Sequence, residues 1–488
     1  MQMSFRENTV KIVATLGPAS SSKEMLKKLI DAGVDIFRLN FSHGTHEEKR
    51  ELLERIREVD PYIGILADIQ GPKIRVGLFK DPPYNLSIGQ EVKVFEKDIE
   101  GDETQFSVPL PGFLKSMKKG DIFFINDGII KVQVEKALKD HIIGKVLAGG
   151  PISNRKGVNI PTGELQQRVP TEKDIKDLEL IAELDPEYCA ISFVSSGDDV
   201  LHVKKILENY GNSNIKLISK IERPIALDNF DQILEVSDGV MVARGDLGVE
   251  ISPDQVPLWQ KEMINKCNKE GKPVIVATQM LESMINAPIP TRAEANDVFN
   301  AVIDGTDAVM LSAETAMGKF PINAVEYMNT IAVTANENMP PRSPDDYDSD
   351  RLTHTQTLGH AIHALAQEMK ELNFRGKILV VTRRGYGARM IAKFRPLLPI
   401  IAITPNIRTA RELNLIWGMH SEHIESEDFF NLNTEEMIEA SVLDAVKSGI
   451  LDENEHVIIL LVSQKFQKRG NIIGLYYVGE IIENASKK

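Results

Sequence analysis

Short apolar runs that alternate with amphipathic helical segments recur along most of the chain, and this rhythm restricts the fold more than any other feature. Eight such runs occupy residues 10–18, 35–44, 63–68, 188–193, 215–221, 239–243, 273–278 and 307–312. Apolar strands that alternate with helices form βαβ units and a parallel sheet. Eight units in about 240 residues are typical of a closed parallel barrel, so the sequence predicts a (β/α)8 TIM barrel.

Two stretches depart from this rhythm. Between residues 71 and 170 the apolar pattern turns to period two, which predicts an inserted all-β domain that acts as a lid. A Pro-rich segment at 339–348 predicts a linker, and a helix at 355–372 with strands at 377–382, 399–404, 457–463 and 473–478 predicts a separate α/β domain. We therefore predict a barrel domain at 1–70 and 171–340, a lid domain at 71–170 and a C-terminal α/β domain at 341–488.

Composition and charge exclude several classes of protein. The 488 residues exceed one ordinary domain, and the net charge of −14 argues against a protein that binds nucleic acid or anionic membranes. No apolar run approaches the roughly 20 residues that span a bilayer. Cys189 and Cys267 are the only cysteines, so a disulfide framework is not expected and we predict a cytoplasmic protein.

Polar residues follow most of the predicted barrel strands, at the end where barrel enzymes place their active sites. They are Arg38, Asn40, Ser42 and His43 after the second strand, Asp68 after the third, Lys220 and Glu222 after the fifth, Gly245 and Asp246 after the sixth, Thr278 and Gln279 after the seventh, and Ser312 and Glu314 after the eighth. Any one of these residues is explained by a strand cap or an ion pair. Their convergence on one face predicts a catalytic site.

The residue types at these ends indicate phosphate chemistry. In a strand, residues two apart point the same way, so Lys220 and Glu222 project together, and the turn at Gly245 directs Asp246 towards them. The two carboxylates suit Mg²⁺ or Mn²⁺, and a lysine beside that metal neutralises the charge of a phosphoryl group in transfer. Arg38 matches a phosphate in bidentate geometry. The site therefore predicts a small phosphorylated substrate.

The lid adds further cations near its hinge at residues 71–72. Arg75 follows the hinge directly, and Arg155 and Lys156 lie near the end of the lid segment. Such residues reach a polyphosphate once the lid closes. A solvated surface charge explains Arg155 better, whereas the turn after Lys156 directs that side chain inward.

Together these segments resemble pyruvate kinase over nearly the whole chain. The resemblance rests on KIVATLGPAS at 11–20, FRLNFSHG at 37–44, NDG at 126–128, KGVN at 156–159, ISKIE at 218–222, MVARGDLG at 241–248, ATQMLESM at 277–284, PTRAE at 290–294 and MLS at 310–312. It implies a glycolytic homotetramer with a regulatory C-terminal domain. It also implies in-line transfer of a phosphoryl group from phosphoenolpyruvate to ADP, assisted by Mg²⁺ or Mn²⁺, followed by protonation of enolpyruvate.

The resemblance assigns roles to the strand-end residues by matching position. Arg38 holds the phosphate of phosphoenolpyruvate, Lys220 stabilises the phosphoryl group in transfer, and Glu222 and Asp246 ligate the divalent metal. Gly245 and Thr278 contact the substrate carboxylate or enolate, and Thr278 and Ser312 belong to the network that delivers the proton. The nucleotide side is lined by Asn40, His43, Arg75 and Lys156. The chain also departs from the family pattern. Asn126 stands before Asp127 where an Asp is usual, Ser195 and Ser196 replace an Arg-Lys pair, and Ala313 and Met317 replace a Gly and a Lys.

The largest departure follows Asp68. In most relatives Asn40, Ser42 and Asp68 ligate K⁺ together with a Thr that follows the Asp, and a nearby Glu balances the charge. This chain has Ile69 for that Thr and Lys73 for that Glu. Because an ammonium group is a compact monovalent cation, the resemblance predicts that Lys73 takes the place of K⁺, as in the subset of the family that works without a monovalent cation.

The C-terminal domain carries a candidate effector loop between its first strand and the following helix. Its residues are Thr382, Arg383, Arg384, Gly385 and Gly387. Backbone N–H groups at such a turn, with either arginine, suit a phosphate, and in relatives this loop holds a sugar phosphate. We predict an effector that bears phosphate, with a plain turn as the alternative.

Two other functions are open at this point. A barrel lysine can form a Schiff base in an aldolase, but Glu222 and Asp246 beside Lys220 favour its charged form. A catalytically silent metabolite sensor would use only the C-terminal domain, and the retained phosphate and metal residues argue against it.

Overall fold

The computed structural model describes residues 9–160, 169–339, 354–425, 428–462 and 471–487. The predicted linker at 339–348 therefore lies outside the described residues apart from Met339. Within the described ranges, none of the helices combines the length and hydrophobicity needed to cross a membrane.

The chain begins with three strands separated by two helices. These elements are β1 (Lys11–Thr15), α1 (Lys23–Ala32), β2 (Ile36–Asn40), α2 (His46–Val59) and β3 (Gly64–Asp68). Ser22 caps α1 by accepting a hydrogen bond from the Met25 N–H, and Thr45 and Glu48 form a reciprocal capping box at the start of α2. The cap residues thus set where each helix begins.

A lid domain follows β3 and has its own sheet. Its elements are β4 (Tyr84–Leu86), β5 (Glu91–Phe95), β6 (Gln105–Ser107), α3 (Phe113–Ser116), β7 (Ile122–Ile125), β8 (Ile130–Ala137), β9 (His141–Ala148), β10 (Gly150–Ile152) and β11 (Val158–Asn159). Six strands form one sheet in the order β11-β7-β8-β9-β5-β6, and β10 pairs with β4. The alternating side chains bury a separate core that includes Phe106, Phe113 and Phe123. The lid is therefore a small β domain with one short helix.

The alternation of helices and strands then resumes. The elements are α4 (Glu172–Leu184), β12 (Tyr188–Ile191), α5 (Gly197–Asn209), β13 (Lys216–Ile221), α6 (Pro224–Asp228), α7 (Phe230–Val236), β14 (Gly239–Ala243), α8 (Arg244–Glu250), α9 (Val256–Glu270), β15 (Val274–Ala277), α10 (Arg292–Ile303), β16 (Ala308–Leu311), α11 (Ala313–Ala316) and α12 (Pro321–Glu337), with a 3-10 turn at Glu282–Ile285. Eight parallel strands close in the order β1-β16-β15-β14-β13-β12-β3-β2. The predicted TIM barrel is confirmed.

The C-terminal domain is a five-stranded sheet with helices on both faces. Its elements are α13 (His354–Glu371), β17 (Gly376–Val381), α14 (Tyr386–Ala392), β18 (Ile400–Thr404), α15 (Ile407–Leu413), β19 (Met419–His423), α16 (Thr434–Lys447), β20 (His456–Val462), β21 (Asn471–Tyr477) and α17 (Val478–Ser486), with a 3-10 turn at Phe429–Asn431. The strand order is β19-β18-β17-β20-β21, and only β21 is antiparallel to its neighbour. The predicted α/β domain is confirmed. The proposed division at 70/71, 170/171 and 340/341 stays a prediction.

The C-terminal domain closes the N-terminal mouth of the barrel. Leu415, which follows α15, is fully buried in the cluster of side chains that fills the barrel interior. Tyr188 at the start of β12 donates a hydrogen bond from its hydroxyl to the Glu412 carbonyl at 2.5 Å. Arg395 pairs with Asp307 across the same boundary at 2.8 Å. With this mouth covered, the carboxyl ends of the strands remain for the active site.

Candidate active site

A buried carboxylate, Asp68 at the end of β3, organises the carboxyl end of the barrel. Its Oδ2 accepts hydrogen bonds from Nε and Nη2 of Arg38, both at 2.7 Å. Its Oδ1 lies 3.3 Å from Nζ of Lys220. Burial by itself would raise the pKa of Asp68, but the charges of Arg38 and Lys220 outweigh it and hold the pKa below its ordinary value. Asp68 therefore fixes two cations side by side.

Lys220 is held at three points near the end of β13. Its ammonium donates to Ser192 Oγ at 2.6 Å and pairs with Glu222 Oε1 at 3.0 Å, in addition to Asp68. Burial opposes the charge, yet the two carboxylates dominate and raise the pKa of Lys220. Lys220 is thus a fixed, fully charged ammonium.

Glu222 and Asp246 lie on neighbouring elements and meet at this site. Glu222 accepts a hydrogen bond from the Phe193 N–H at 2.6 Å. Burial raises the pKa of Glu222 and the nearby Asp246 carboxylate raises it further, although Lys220 opposes both. Two carboxylates whose charges interact, one of them buried, are a ligand pair that a divalent cation would stabilise.

The described residues contain no group of three or more His, Cys, Asp or Glu side chains that could hold a metal ion. Mg²⁺ does not require such a cage, because it is usually held by one or two carboxylates, with water and substrate phosphate oxygens completing the octahedron. Glu222 and Asp246 fit this pattern.

The turn after β15 packs against the start of α8. Thr278 has a φ of 69° and Gln279 a φ of 55°, which are left-handed conformations that a β-branched residue such as Thr rarely adopts. Thr278 Oγ1 accepts a hydrogen bond from the Gly245 N–H at 2.6 Å. A Cβ on residue 245 would lie 3.2 Å from that oxygen, so a side chain there would crowd Thr278, and glycine leaves room for the close approach.

Arg244 holds the strained turn in place from beneath. Its guanidinium donates to the Thr278 carbonyl at 2.8 Å and pairs with Asp297 at 2.7 Å. The side chain is buried, so Arg244 supports the site and does not face its open side. The backbone N–H of Gly245 and the hydroxyl of Thr278 are positioned as a result.

Ser312 and Glu314 follow β16. The Ser312 N–H donates to Glu314 Oε2 at 2.7 Å, and Glu314 also accepts from the Leu281 N–H at 3.2 Å. Burial raises the pKa of Glu314. Glu314 therefore ties the end of β16 to the segment after β15, and it has a structural role, whereas Ser312 lies at the strand end as predicted.

The lid rests on α8 through two polar contacts. Asn159 at the end of β11 donates to Glu250 Oε1 at 3.0 Å. Lys73, just after the hinge, pairs with Asp246 Oδ1 at 3.3 Å. Within the described part of the chain, no hydrogen bond or ion pair joins Lys73 to Asn40, Ser42 or Asp68. The structure therefore places Lys73 beside a candidate metal ligand and not among the predicted K⁺ ligands.

The predicted nucleotide residues come from the loop after β2 and from the lid. Asn40 Oδ1 accepts a hydrogen bond from the Ser42 N–H at 3.0 Å and fixes the turn that precedes His43. Partial burial lowers the pKa of His43, and the cations Arg75, Lys49, Arg38 and Lys173 lower it further. On the lid, Arg75 donates to the Arg155 carbonyl at 2.9 Å and Lys156 lies on the adjoining segment. Arg75 of the lid and Lys49 of α2 thus bring positive charge near the loop that carries His43.

The departures from the family pattern have local structural explanations in three places. Ser195 and Ser196 donate their backbone N–H groups to Asp199 and start α5. The segment from Asn126 to Gly128 is a tight turn with three successive positive φ angles of 56°, 54° and 85°. Met317 is 67% exposed. No contact in the structure explains the Ala at position 313.

The site contains two further polar residues that the sequence patterns do not indicate. Ser192 bridges Lys220 and Asp68, and Thr15 accepts a hydrogen bond from Arg38 Nη1 at 3.0 Å. Both residues end a barrel strand or follow it directly, so the rule that picked out the other strand ends would also have found them. They lie in apolar runs, which the sequence pattern predicts as strand interior.

The candidate effector loop joins β17 to α14. Thr382 Oγ1 accepts a hydrogen bond from the Gly385 N–H at 3.0 Å, and Gly385 has a φ of 72°. The Arg383 guanidinium stacks over the Phe430 ring at 4.4 Å, and the Arg383 carbonyl accepts from Thr409 at 3.1 Å. Arg384 follows Arg383 in the same turn.

Comparison with known proteins gives consistent matches over almost the whole chain. A family model described as pyruvate kinase, barrel domain, matches residues 7–325, and one described as pyruvate kinase, alpha/beta domain, matches residues 360–472. A pyruvate kinase of Staphylococcus haemolyticus is 41% identical over 485 residues, which are 97% of this chain and 81% of the relative. One of Bacillus licheniformis is 39% identical over 480 residues, with the same coverage.

A solved structure gives the same result. The crystal structure of a pyruvate kinase from Cryptosporidium parvum superposes with a TM-score of 0.87 at 34% identity, and the match covers 97% of this chain and 96% of the other.

Proposed function

The chain belongs to the pyruvate kinase family and transfers the phosphoryl group of phosphoenolpyruvate to ADP, and we propose that it does so through the Lys220 site without K⁺. The observation that carries the assignment of the site is the placement of Lys220. Its ammonium is fixed between Asp68 and Glu222, next to the Arg38 guanidinium.

Positioning and charge supply the catalysis in the proposed mechanism. Arg38 binds the phosphate of phosphoenolpyruvate, and Lys220 neutralises the equatorial oxygens of the phosphoryl group as it passes to ADP. Glu222 and Asp246 would hold Mg²⁺ or Mn²⁺, which supplies further positive charge at the phosphoryl group when it is bound. Because Ser192, Asp68 and Glu222 fix Lys220 in advance, little reorganisation is needed during transfer.

The turn around Thr278 suits the other half of the substrate. We assign Gly245 and Thr278 to contacts with the carboxylate or enolate of the substrate, and Thr278 with Ser312 to delivery of the proton. The strained φ of Thr278 supports this assignment, since strain of this kind is retained where it positions a functional group. Asn40, His43, Arg75 and Lys156 line the nucleotide side.

The aldolase alternative requires a neutral lysine. Asp68 and Glu222 raise the pKa of Lys220, which keeps the ammonium protonated and unable to attack a carbonyl. The charge of Lys220 thus favours phosphoryl transfer over Schiff-base formation.

We expect Lys220→Met to lower kcat by at least about 10³ and to leave the binding of phosphoenolpyruvate within several-fold, because a preorganised charge acts mainly in the transition state. A lactate-dehydrogenase-coupled assay measures both. Lys216→Met is the matched control, since Lys216 lies on the same strand and pairs with Asp238 at 3.8 Å, away from the site. A Lys220→Met enzyme with about a tenth of wild-type kcat would contradict the assignment.

Independence from K⁺ is supported by the surroundings of Asp68. Its carboxylate oxygens are already neutralised by Arg38 and Lys220. Ile69 replaces an oxygen ligand of the relatives and is fully buried in the barrel core, where its side chain offers no oxygen. Lys73 brings a further fixed cation to the acidic face at Asp246. The proposal is that Lys73 supplies the monovalent charge from this position when the lid is closed.

We therefore expect similar turnover in tetramethylammonium and potassium buffers at matched ionic strength. Lys73→Glu should become dependent on K⁺, because it replaces a fixed cation by an anion. Lys80→Glu changes the charge of the same domain at an exposed position and serves as the control. Loss of most wild-type activity without K⁺ would show that Lys73 does not play this role.

A phosphate-bearing effector is proposed for the loop at 382–387. The loop combines a left-handed glycine with Arg384, and its Arg383 carbonyl contacts α15, which also touches the barrel. A nucleoside monophosphate and a sugar monophosphate are both candidates. Because Arg383 already stacks on Phe430, we assign the phosphate contact to Arg384.

Calorimetric titration of the full chain should show binding of AMP or glucose 6-phosphate and a loss of at least about tenfold in affinity in Arg384→Gln, the scale of one charge-assisted hydrogen bond. Lys447 is exposed at the end of α16, outside the loop, and the control variant Lys447→Gln should bind both compounds as the wild type does. Failure of both compounds to bind the wild type would leave the loop as an ordinary turn.

We also propose that the protein is a homotetramer and that it is cytoplasmic. Leu258 and Ile289 are 61% and 59% exposed on the barrel, and large apolar side chains of this kind are suited to burial in a subunit interface. Cys189 and Cys267 are buried free thiols, which fits a reducing compartment. Light scattering should give four times the chain mass of 54.4 kDa, and a monomeric mass would contradict the tetramer.

A further inference from the structure

Lys49 is the exception among the basic residues of α2. Arg50 pairs with Glu183, Arg55 donates to the Ser21 carbonyl, and Arg57 pairs with Glu187. In the described part of the chain, Lys49 has no carboxylate within ion-pair distance, and its ammonium lies 5.8 Å from the centre of the Phe41 ring. The three arginines of this helix therefore make contacts that stabilise the fold. The contacts of Lys49 do not explain why a charged residue is present at this position.

The Lys49 ammonium lies beside the loop that carries His43. A methyl group on Gly44 would come within 3.6 Å of Lys49 Nζ, which places the ammonium against the turn after His43. Lys173 approaches the same loop from α4, where it donates to the Phe41 carbonyl at 2.8 Å and pairs with Asp177 at 2.6 Å. The two lysines thus flank the segment from Phe41 to Gly44.

Lys173, which contacts this segment, also lines a groove of about 480 Å³. It lies between the hinge and α4, and Lys73, Arg75 and Lys173 are among its lining residues. Burial lowers the pKa of Lys49; Glu48 and Asp177 oppose this effect, while Arg38 and Lys173 add to it. Clustered cations repel one another, and a bound polyanion removes this unfavourable electrostatic repulsion.

We propose that Lys49 binds the polyphosphate of the nucleotide acceptor, together with Arg75 and His43. The inference deepens the proposed function and rests on it. Lys49 lies in α2, just after the loop that carries His43, and both Lys49 and Arg75 act electrostatically on His43, whereas Arg38 and Lys220 are held by Asp68. Lys49 therefore acts on ADP and not on phosphoenolpyruvate.

Steady-state kinetics of the full-length enzyme separate the two substrates. In Lys49→Gln the KM for ADP should rise about tenfold, as expected for a lost charge-assisted contact, while kcat and the KM for phosphoenolpyruvate stay within about twofold. Lys49→Arg should restore the KM for ADP to within about threefold, because it keeps the charge. Arg50→Gln removes one positive charge from the next position of the same helix and should leave all three constants unchanged.

Equilibrium titration provides a readout that a structural role would not change in the same way. Lys49→Gln should weaken the binding of ADP about tenfold and leave the binding of adenosine unaltered, since adenosine has no phosphate. Equal weakening of ADP and adenosine, a parallel rise of both KM values, or an unchanged KM for ADP would overturn the proposal. Each of these outcomes compares a variant with the wild type. Failure of the proposed function is a separate result, because a K⁺ requirement of the wild type alone would reveal it.

Discussion

The buried ion pairs of Asp68 are the interaction on which the candidate active site depends. One carboxylate at the end of β3 holds the Arg38 guanidinium of β2 and the Lys220 ammonium of β13. Without it, two cations would be left buried side by side, and breaking a buried pair costs about 3–5 kcal/mol. The same carboxylate fixes both groups at the carboxyl end of the barrel. In the proposed mechanism, stability of the barrel end and readiness for phosphoryl transfer therefore have a common origin.

The opposite end of the barrel depends on the C-terminal domain. Leu415 fills the interior at that mouth, and Arg395 reaches from the C-terminal domain to Asp307 of the barrel. The helix α15 joins the two regions, because Thr409 contacts the candidate effector loop while Glu412 accepts a hydrogen bond from Tyr188 of β12. At the other end of β12 lies Ser192, which binds Lys220. The loop and the site are thus linked by packed elements.

Most of the fold could be predicted from the sequence because hydrophobic periodicity is local. All eight barrel strands were recognised within a few residues of their observed bounds. The strand β19 was not, since Met419–His423 has a polar sequence typical of a loop, and only pairing with β18 makes it a strand. Lys73 was predicted near the K⁺ ligands but lies against Asp246, because the closure of the lid on α8 decides where the hinge side chains point.

The sequence by itself determined the order of the elements, the residue types at each strand end and, through the family resemblance, the reaction. The tertiary structure alone decided how those residues pair. Lys220 meets Asp68 and Ser192 from positions 152 and 28 residues away, and Arg244 supports Thr278 from 34 residues away. Such contacts are set by barrel closure and strand register, which bring distant segments to within about 3 Å. Local patterns do not encode those distances, and they therefore cannot distinguish a charge that organises the site from one that is only near it.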